Sequence, residues 1–161
     1  MEPKIDISAE RRETIAGLLN VLIADEYVLY TKSRNYHWNV TGPMFRDLHK
    51  LFEEQYEGLN DMIDEIAERT RALGAWPLST LAEFLKHTKL KEHPRKVFAA
   101  HEMIQDLLQD HESIIRSLRE ASDLCTEKLG DAGTADMCTG WMEYHEKAAW
   151  MLRSHLEAER V

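Results

Sequence analysis

Five side chains able to bind a metal gather around one turn at Gly42-Pro43: His37 before it, and His49, Glu53, Asp64 and Glu68 after it. Imidazole mixed with carboxylate suits Fe, Mn or Zn, whereas all-oxygen sets suit Mg or Ca, and no thiolate joins this group. A site with few protein ligands leaves positions open for water, dioxygen or peroxide, which permits oxidation chemistry. Each member alone has a plain explanation. A carboxylate on a long helix is ordinarily part of a solvated face, and a histidine near a helix end can simply be hydrogen-bonded. Their joint phase carries the argument.

His49 and Glu53 are four residues apart, as are Asp64 and Glu68, so each pair shares a helical face. The interval from Glu53 to Asp64 is close to three whole turns, which points both pairs the same way. The same interval separates them by ~16 Å along the axis, far beyond a metal–ligand bond of ~2.0–2.2 Å. One helix cannot close a site with both. A second copy crossing antiparallel would lay His49 and Glu53 of one chain against Asp64 and Glu68 of the other, so site and dimer form one expectation. Gly58 falls at the midpoint of the two pairs, where a two-fold axis between such helices would pass, and glycine permits close backbone approach.

Long helices must position these residues. Seven glycines and four prolines punctuate 161 residues and divide the chain into helical stretches. The pattern predicts a first helix from an N-cap at Ser8 to about Asn39, with Ile15, Leu18, Leu19, Leu22 and Ile23 at helical spacing. A second is expected from about Met44 to Leu73, its apolar stripe running through Leu48, Leu51, Phe52, Tyr56, Leu59, Ile63 and Ile66, with Gly74 as its terminating glycine. Thr80 and Glu83 fit a capping box for a short helix to about His87. A third long helix is read from Pro94 to Leu129, with Val97 counted on its buried side. The last is read from an N-cap at Thr134 to near Glu159.

The expected class is therefore all-α: a ferritin-like four-helix bundle with a short extra helix in the long connection between helices two and three. Residues 1–161 read as one domain, residues 1–8 being a short segment before the first helix. Cys125 and Cys138 lack the spacing of a zinc or redox motif and read as unpaired thiols in a reducing compartment. No apolar run approaches the ~20 residues of a membrane span, and no signal-peptide pattern appears at the start, so a cytoplasmic protein is expected. The net charge of −9 disfavours a broad nucleic-acid surface and favours cations.

A di-iron site inside one bundle would need Glu-x-x-His on two helices. None of the eight histidines has a glutamate three residues before it, which leaves the site shared between chains.

At these residues the sequence resembles the Dps family, the miniferritins called DNA-binding proteins from starved cells. The stretch Asn35-Tyr-His-Trp-Asn-Val-Thr-Gly-Pro43, then Leu48-His49 and Asp64-Glu-Ile-Ala-Glu68-Arg, is similar to the family's ferroxidase signature. Tyr144-His-Glu-Lys-Ala-Ala-Trp-Met-Leu-Arg153 is similar to its last helix. The resemblance implies a hollow homo-dodecamer that oxidises Fe(II), preferably with hydrogen peroxide, stores ferric mineral inside and protects against oxidative damage. It implies that His37, His49 and Glu53 come from one subunit and Asp64 and Glu68 from its two-fold partner. The family often has aspartate where Glu53 stands, so this carboxylate reaches one methylene further.

Trp38 and Trp150 could absorb stray oxidising equivalents, although core packing is the simpler expectation for both. Glu54, Glu57 and Asp61 could nucleate mineral or simply face solvent. Asp131 and Asp136 match family segments at acidic three-fold pores, and helix capping explains acidic residues there equally well. Zinc or another divalent ion could compete for the site. The alternative function is DNA compaction with iron chemistry secondary and nucleoid association. The short N-terminal segment, with Lys4 between Glu2 and Asp6, and the end Glu157-Ala-Glu-Arg-Val161 offer little for it, so DNA binding is expected to be weak.

Overall fold

The structure is a computed structural model that describes residues 2–94, 96 and 98–157. Val97 and residues 158–161, which carried part of the third-helix and chain-end readings, lie outside them. Every regular element among the described residues is helical.

α1 (Ala9–Asn39) begins where the Ser8 hydroxyl accepts from the Arg11 amide, and it ends as Val40 turns extended. Gly42, at φ +108°, then reverses the chain into α2 (Phe45–Ala72). α2 closes at Gly74, whose φ of +88° favours glycine, and the Gly74 and Ala75 amides donate back to the Arg71 and Thr70 carbonyls. α3 (Leu81–His87) has the full Thr80–Glu83 capping box. These three elements match the periodicity closely because their caps are local.

Two boundaries differ from expectation. α4 (Ala100–Leu124) starts six residues after Pro94, where Glu102 reaches back to accept from the Ala99 amide at 2.8 Å. The preceding segment is held instead by tertiary bonds, Thr88 and Lys89 donating to the Asp25 carboxylate at 2.7 and 2.6 Å. α4 passes into a π-helical turn at Cys125–Leu129 and stops at Gly130, φ +66°. For α5 (Ala132–Glu157) the capping side chain is Asp131, not Thr134, because the Asp131 carboxylate accepts from the Thr134 amide at 3.0 Å. Thr134 sits inside the first turn.

α1 and α2 form one antiparallel hairpin and α4 and α5 the other, with α3 lying across α1 in the connection between them. Between the hairpins lie Phe52, Leu59, Leu107, Ile114, Leu118 and Leu152, all fully buried. Each such side chain contributes about 1.5–3 kcal/mol. The two cysteines are buried and unpaired, and burial pushes their thiols up, to about 11 for Cys125 and about 12 for Cys138.

Candidate metal centre

The α1–α2 turn brings His37 and His49 together in an arrangement fixed from both sides. His37 Nδ1 donates to the His49 carbonyl at 2.7 Å, and His49 Nδ1 donates to the His37 carbonyl at 2.8 Å. The rings stack at 3.7 Å with 18° between planes, and Phe45 stacks on the outer face of His49 at 5.1 Å. A carbonyl can only accept, so each Nδ1 carries a proton, and Nε2 is the ring nitrogen these bonds leave for a metal. This is the hydrogen-bond pattern that orients an imidazole for a metal, with one ring nitrogen anchored to backbone and the other left over.

Glu53 lies one turn along α2 and is half-buried, with its carboxylate bonded to Lys50 at 2.8 Å. That hydrogen bond holds Glu53 below its ordinary value, with the charges of Lys50, His37 and His49 adding. Asp64 and Glu68 are exposed further along the helix. Among the described residues no three His, Cys, Asp or Glu side chains of one chain are grouped to hold a metal ion. Within one chain His37, His49 and Glu53 therefore stand apart from Asp64 and Glu68, which lie further along α2.

The remaining candidates separate clearly. Trp38 and Trp150 are 65% and 61% exposed, which overturns core packing as their role. Glu54, Glu57 and Asp61 are all exposed. Asp136 is exposed too, but Asp131 is buried and engaged: Arg69 binds both its oxygens at 2.6 and 2.8 Å, and the Thr134 hydroxyl donates to it. Burial pushes the Asp131 carboxyl upward, yet the hydrogen bonds from Thr134 and Arg69 outweigh that and hold it below its usual range. Gly58 has a reason within the chain. A Cβ there would stand 2.5 Å from the Tyr144 hydroxyl oxygen and 2.7 Å from its ring, and that hydroxyl donates to the Gln55 carbonyl.

Two buried polar groups were not read from the sequence as sites. In the bundle centre Glu26, His145 and His111, from three helices, form a chain: His145 Nε2 donates to Glu26 at 3.0 Å, and the two Nδ1 atoms stand 2.8 Å apart. All three are fully buried, and burial pushes His111 well below its ordinary value. Nearby in sequence, Lys32 bridges Asp106 and Asp110 at 2.6 and 2.5 Å, and Tyr36 donates to Asp106 at 2.6 Å. Burial drives Asp110 up to about 6 despite the ammonium, whereas hydrogen bonds from Lys32 and Tyr36 overcome burial at Asp106 and keep it low. The available signal was phase: Glu26 and His145 fall in register with the apolar stripes of their helices, beside Leu22 and Leu29 and between Trp141 and Ala148.

The ferritin-like domain family matches residues 16–161. The DNA protection during starvation protein of Helicobacter pylori is 39% identical over 139 residues, covering 86% of this chain and 96% of that protein. An uncharacterised low temperature-induced protein of Nostoc sp. is 47% identical over 161 residues, covering 99% of this chain and 90% of that one. Among solved structures, the Dps protein of Vibrio cholerae, described as a member of a broad superfamily of ferritin-like diiron-carboxylate proteins, superposes with a TM-score of 0.90 at 33% identity, covering 96% of each chain. Dps from Thermosynechococcus elongatus gives 0.87 at 35% identity, with 91% of this chain and 92% of that chain covered.

Proposed function

This chain belongs to the Dps family of ferritin-like proteins, and we propose that it is a ferroxidase that oxidises Fe(II), preferentially with hydrogen peroxide, and stores the ferric product in a dodecameric cage. The observation that carries this reading is the reciprocal hydrogen bonding of His37 and His49, which anchors both rings through Nδ1 and leaves Nε2 as the nitrogen each can offer to a metal. In this reading His37, His49 and Glu53 of one subunit bind the Fe(II) substrate together with the two-fold partner's Asp64 and Glu68. Mixed imidazole and carboxylate donors also accept zinc and other divalent ions, which act as competitors.

Two ferrous ions each give one electron to one peroxide, its O–O bond breaks, and the protons of the hydrolysed ferric product leave to solvent. The chain supplies orientation and charge. The backbone carbonyls hold the Nδ1 protons, which keeps both rings aligned, and the carboxylates offset the growing positive charge of the ferric product. Exposed Glu54, Glu57 and Asp61 offer oxygen ligands for nucleating mineral, and exposed Asp136 suits a cation path better than Asp131, whose carboxylate is held by Arg69. The exposure of Trp38 and Trp150 supports a role for them in taking up oxidising equivalents.

DNA compaction is the weaker reading. The net charge of −9 repels phosphate, and Arg12 near the N-terminal segment is engaged by Glu2 at 2.6 Å. No helix among the described residues is long and apolar enough to cross a membrane, and action in the cytoplasm fits the two unpaired thiols. The test is to load Fe(II) anaerobically, add peroxide and follow ferric absorbance in the native protein and in Glu68→Ala. Equal rates would remove the proposed centre, while gel filtration distinguishes a dodecamer from a dimer.

A further inference from the structure

α2 and α5 meet far less closely than the helices within either hairpin. A cavity of about 410 Å3 opens along their seam, a size within the roughly 300–1,000 Å3 of small-molecule sites. Its acidic lining comes from both sides, Asp61 and Glu65 from α2 and Asp136 from α5. All three carboxylates are exposed, and among the described residues none is paired with a basic side chain. The rest of the wall is apolar: Met62 and Met137 face one another across the seam, beside the rings of Trp141 and Tyr144. None of His37, His49, Glu53, Asp64 and Glu68 lines it.

Both rings are anchored by their polar ends. Trp141 Nε1 donates to Glu65 at 2.9 Å, and the Tyr144 hydroxyl donates to the Gln55 carbonyl at 2.9 Å. Burial, with the charges of Glu26 and Asp61 adding, holds the Tyr144 phenol well above its ordinary value, so the negative charge of this wall resides on carboxylates. Two glycines also line the cavity, for different reasons. Gly58 admits the Tyr144 ring. Gly140 stands in the third turn of α5, where glycine is a poor helix former, yet a Cβ there would meet nothing within 4 Å. Close packing does not require Gly140, and its missing side chain leaves the cavity open.

We infer that the α2–α5 cavity is a binding site for a linear organic dication of the aliphatic diamine class. One ammonium group meets Asp61 on α2 and the other meets Asp136 on α5, while the methylene chain between them lies along Met62 and Met137. The electron-rich rings of Trp141 and Tyr144 favour the same positive charge. A hydrated metal ion satisfies the carboxylates but gains nothing from thioethers and rings, and a monoamine satisfies only one side of the seam. The site is independent of iron oxidation, since it uses none of the residues of the candidate metal centre.

The test titrates the iron-free assembled protein with cadaverine in a calorimeter at ~0.15 M salt, where diffuse surface charge is largely screened. Saturable binding is expected, with pentylamine at least ~10-fold weaker because one charge-assisted hydrogen bond is lost. An equal concentration of Mg2+ should not displace cadaverine. Gly140→Leu should fill the cavity with a better helix former, leaving far-UV circular dichroism and gel filtration unchanged while cadaverine binding is lost. Asp136→Asn, at an exposed position and with no change in volume, should weaken binding several-fold and decides the matter if Gly140→Leu does not assemble. Absence of saturable binding, equal affinity for pentylamine, or displacement by Mg2+ at equal concentration would overturn the assignment. So would native-like cadaverine binding by folded Gly140→Leu or by Asp136→Asn.

Discussion

His37 and His49 each donate a ring proton to the other's backbone carbonyl, so the same pair of hydrogen bonds that closes the α1–α2 turn also sets the tautomer of both imidazoles. Turn geometry and metal readiness are one feature here. Replacing either ring alters both.

His49→Ala removes a proposed ligand and leaves the His37 carbonyl without its donor, while the half-exposed position limits the loss of packing. The expected outcome is at least a ~10-fold drop in the rate of ferric formation, comparable to losses when the support of a ligand is removed, with little change in the thermal midpoint. Stopped-flow absorbance and thermal unfolding on the same preparation check it. A parallel collapse of both would assign His49 to folding alone.

In the proposed centre Lys50 would compete with metal for Glu53, since its ammonium holds that carboxylate at 2.8 Å and is itself exposed. Lys50→Ala is therefore expected to tighten divalent-ion binding modestly, by about threefold, as fits a solvent-screened pair. Isothermal titration with Co(II) in the two proteins measures this. Weaker binding in the variant would mean that Lys50 positions Glu53 rather than restraining it.

Gly58→Ala drives a methyl group to 2.5 Å from the Tyr144 hydroxyl oxygen, and overpacking of this kind costs about 1–3 kcal/mol. In a Tyr144→Ala background the same change should cost far less. Urea unfolding of the four proteins gives the coupling, and strictly additive effects would show that Gly58 answers to something other than Tyr144.

His111 makes stability depend on pH. Its native pKa is pushed well below the ordinary 6.5 by burial, so the unfolded chain binds more protons as pH falls below that value. This contribution is fully present above about 6.5 and is lost progressively in more acid solution. Asp110, raised to about 6, works the other way, because the native state then holds the extra proton. Denaturation midpoints should fall most steeply near pH 6–6.5 and flatten below. His111→Gln should remove the steep part, and an unchanged profile would exclude His111 as its source.

The sequence by itself determined the helical class, the caps and stops at Ser8, Gly42, Gly74 and Thr80–Glu83, and the phase of the ligand set. Ser8, Gly42, Gly74 and the Thr80–Glu83 box act on backbone within a few residues, and helical spacing puts His49 with Glu53 and Asp64 with Glu68 without reference to anything distant. Such information survives in a linear string. The path of the chain at Thr88 and Lys89 does not, because it is fixed by the Asp25 carboxylate more than sixty residues earlier.

Only the tertiary structure decided the rest. It gave Asp131 to Arg69, gave Gly58 to Tyr144, set Trp38 and Trp150 outside the core and brought Tyr56 against His37. It also closed the chain from Glu26 to His145 across 119 residues. Each of these depends on which helix faces which and at what height, and side-chain type alone does not specify that juxtaposition. Burial then turned ordinary polar residues into a hydrogen-bonded network, since an unpaired polar group in the bundle centre costs far more than one at the surface.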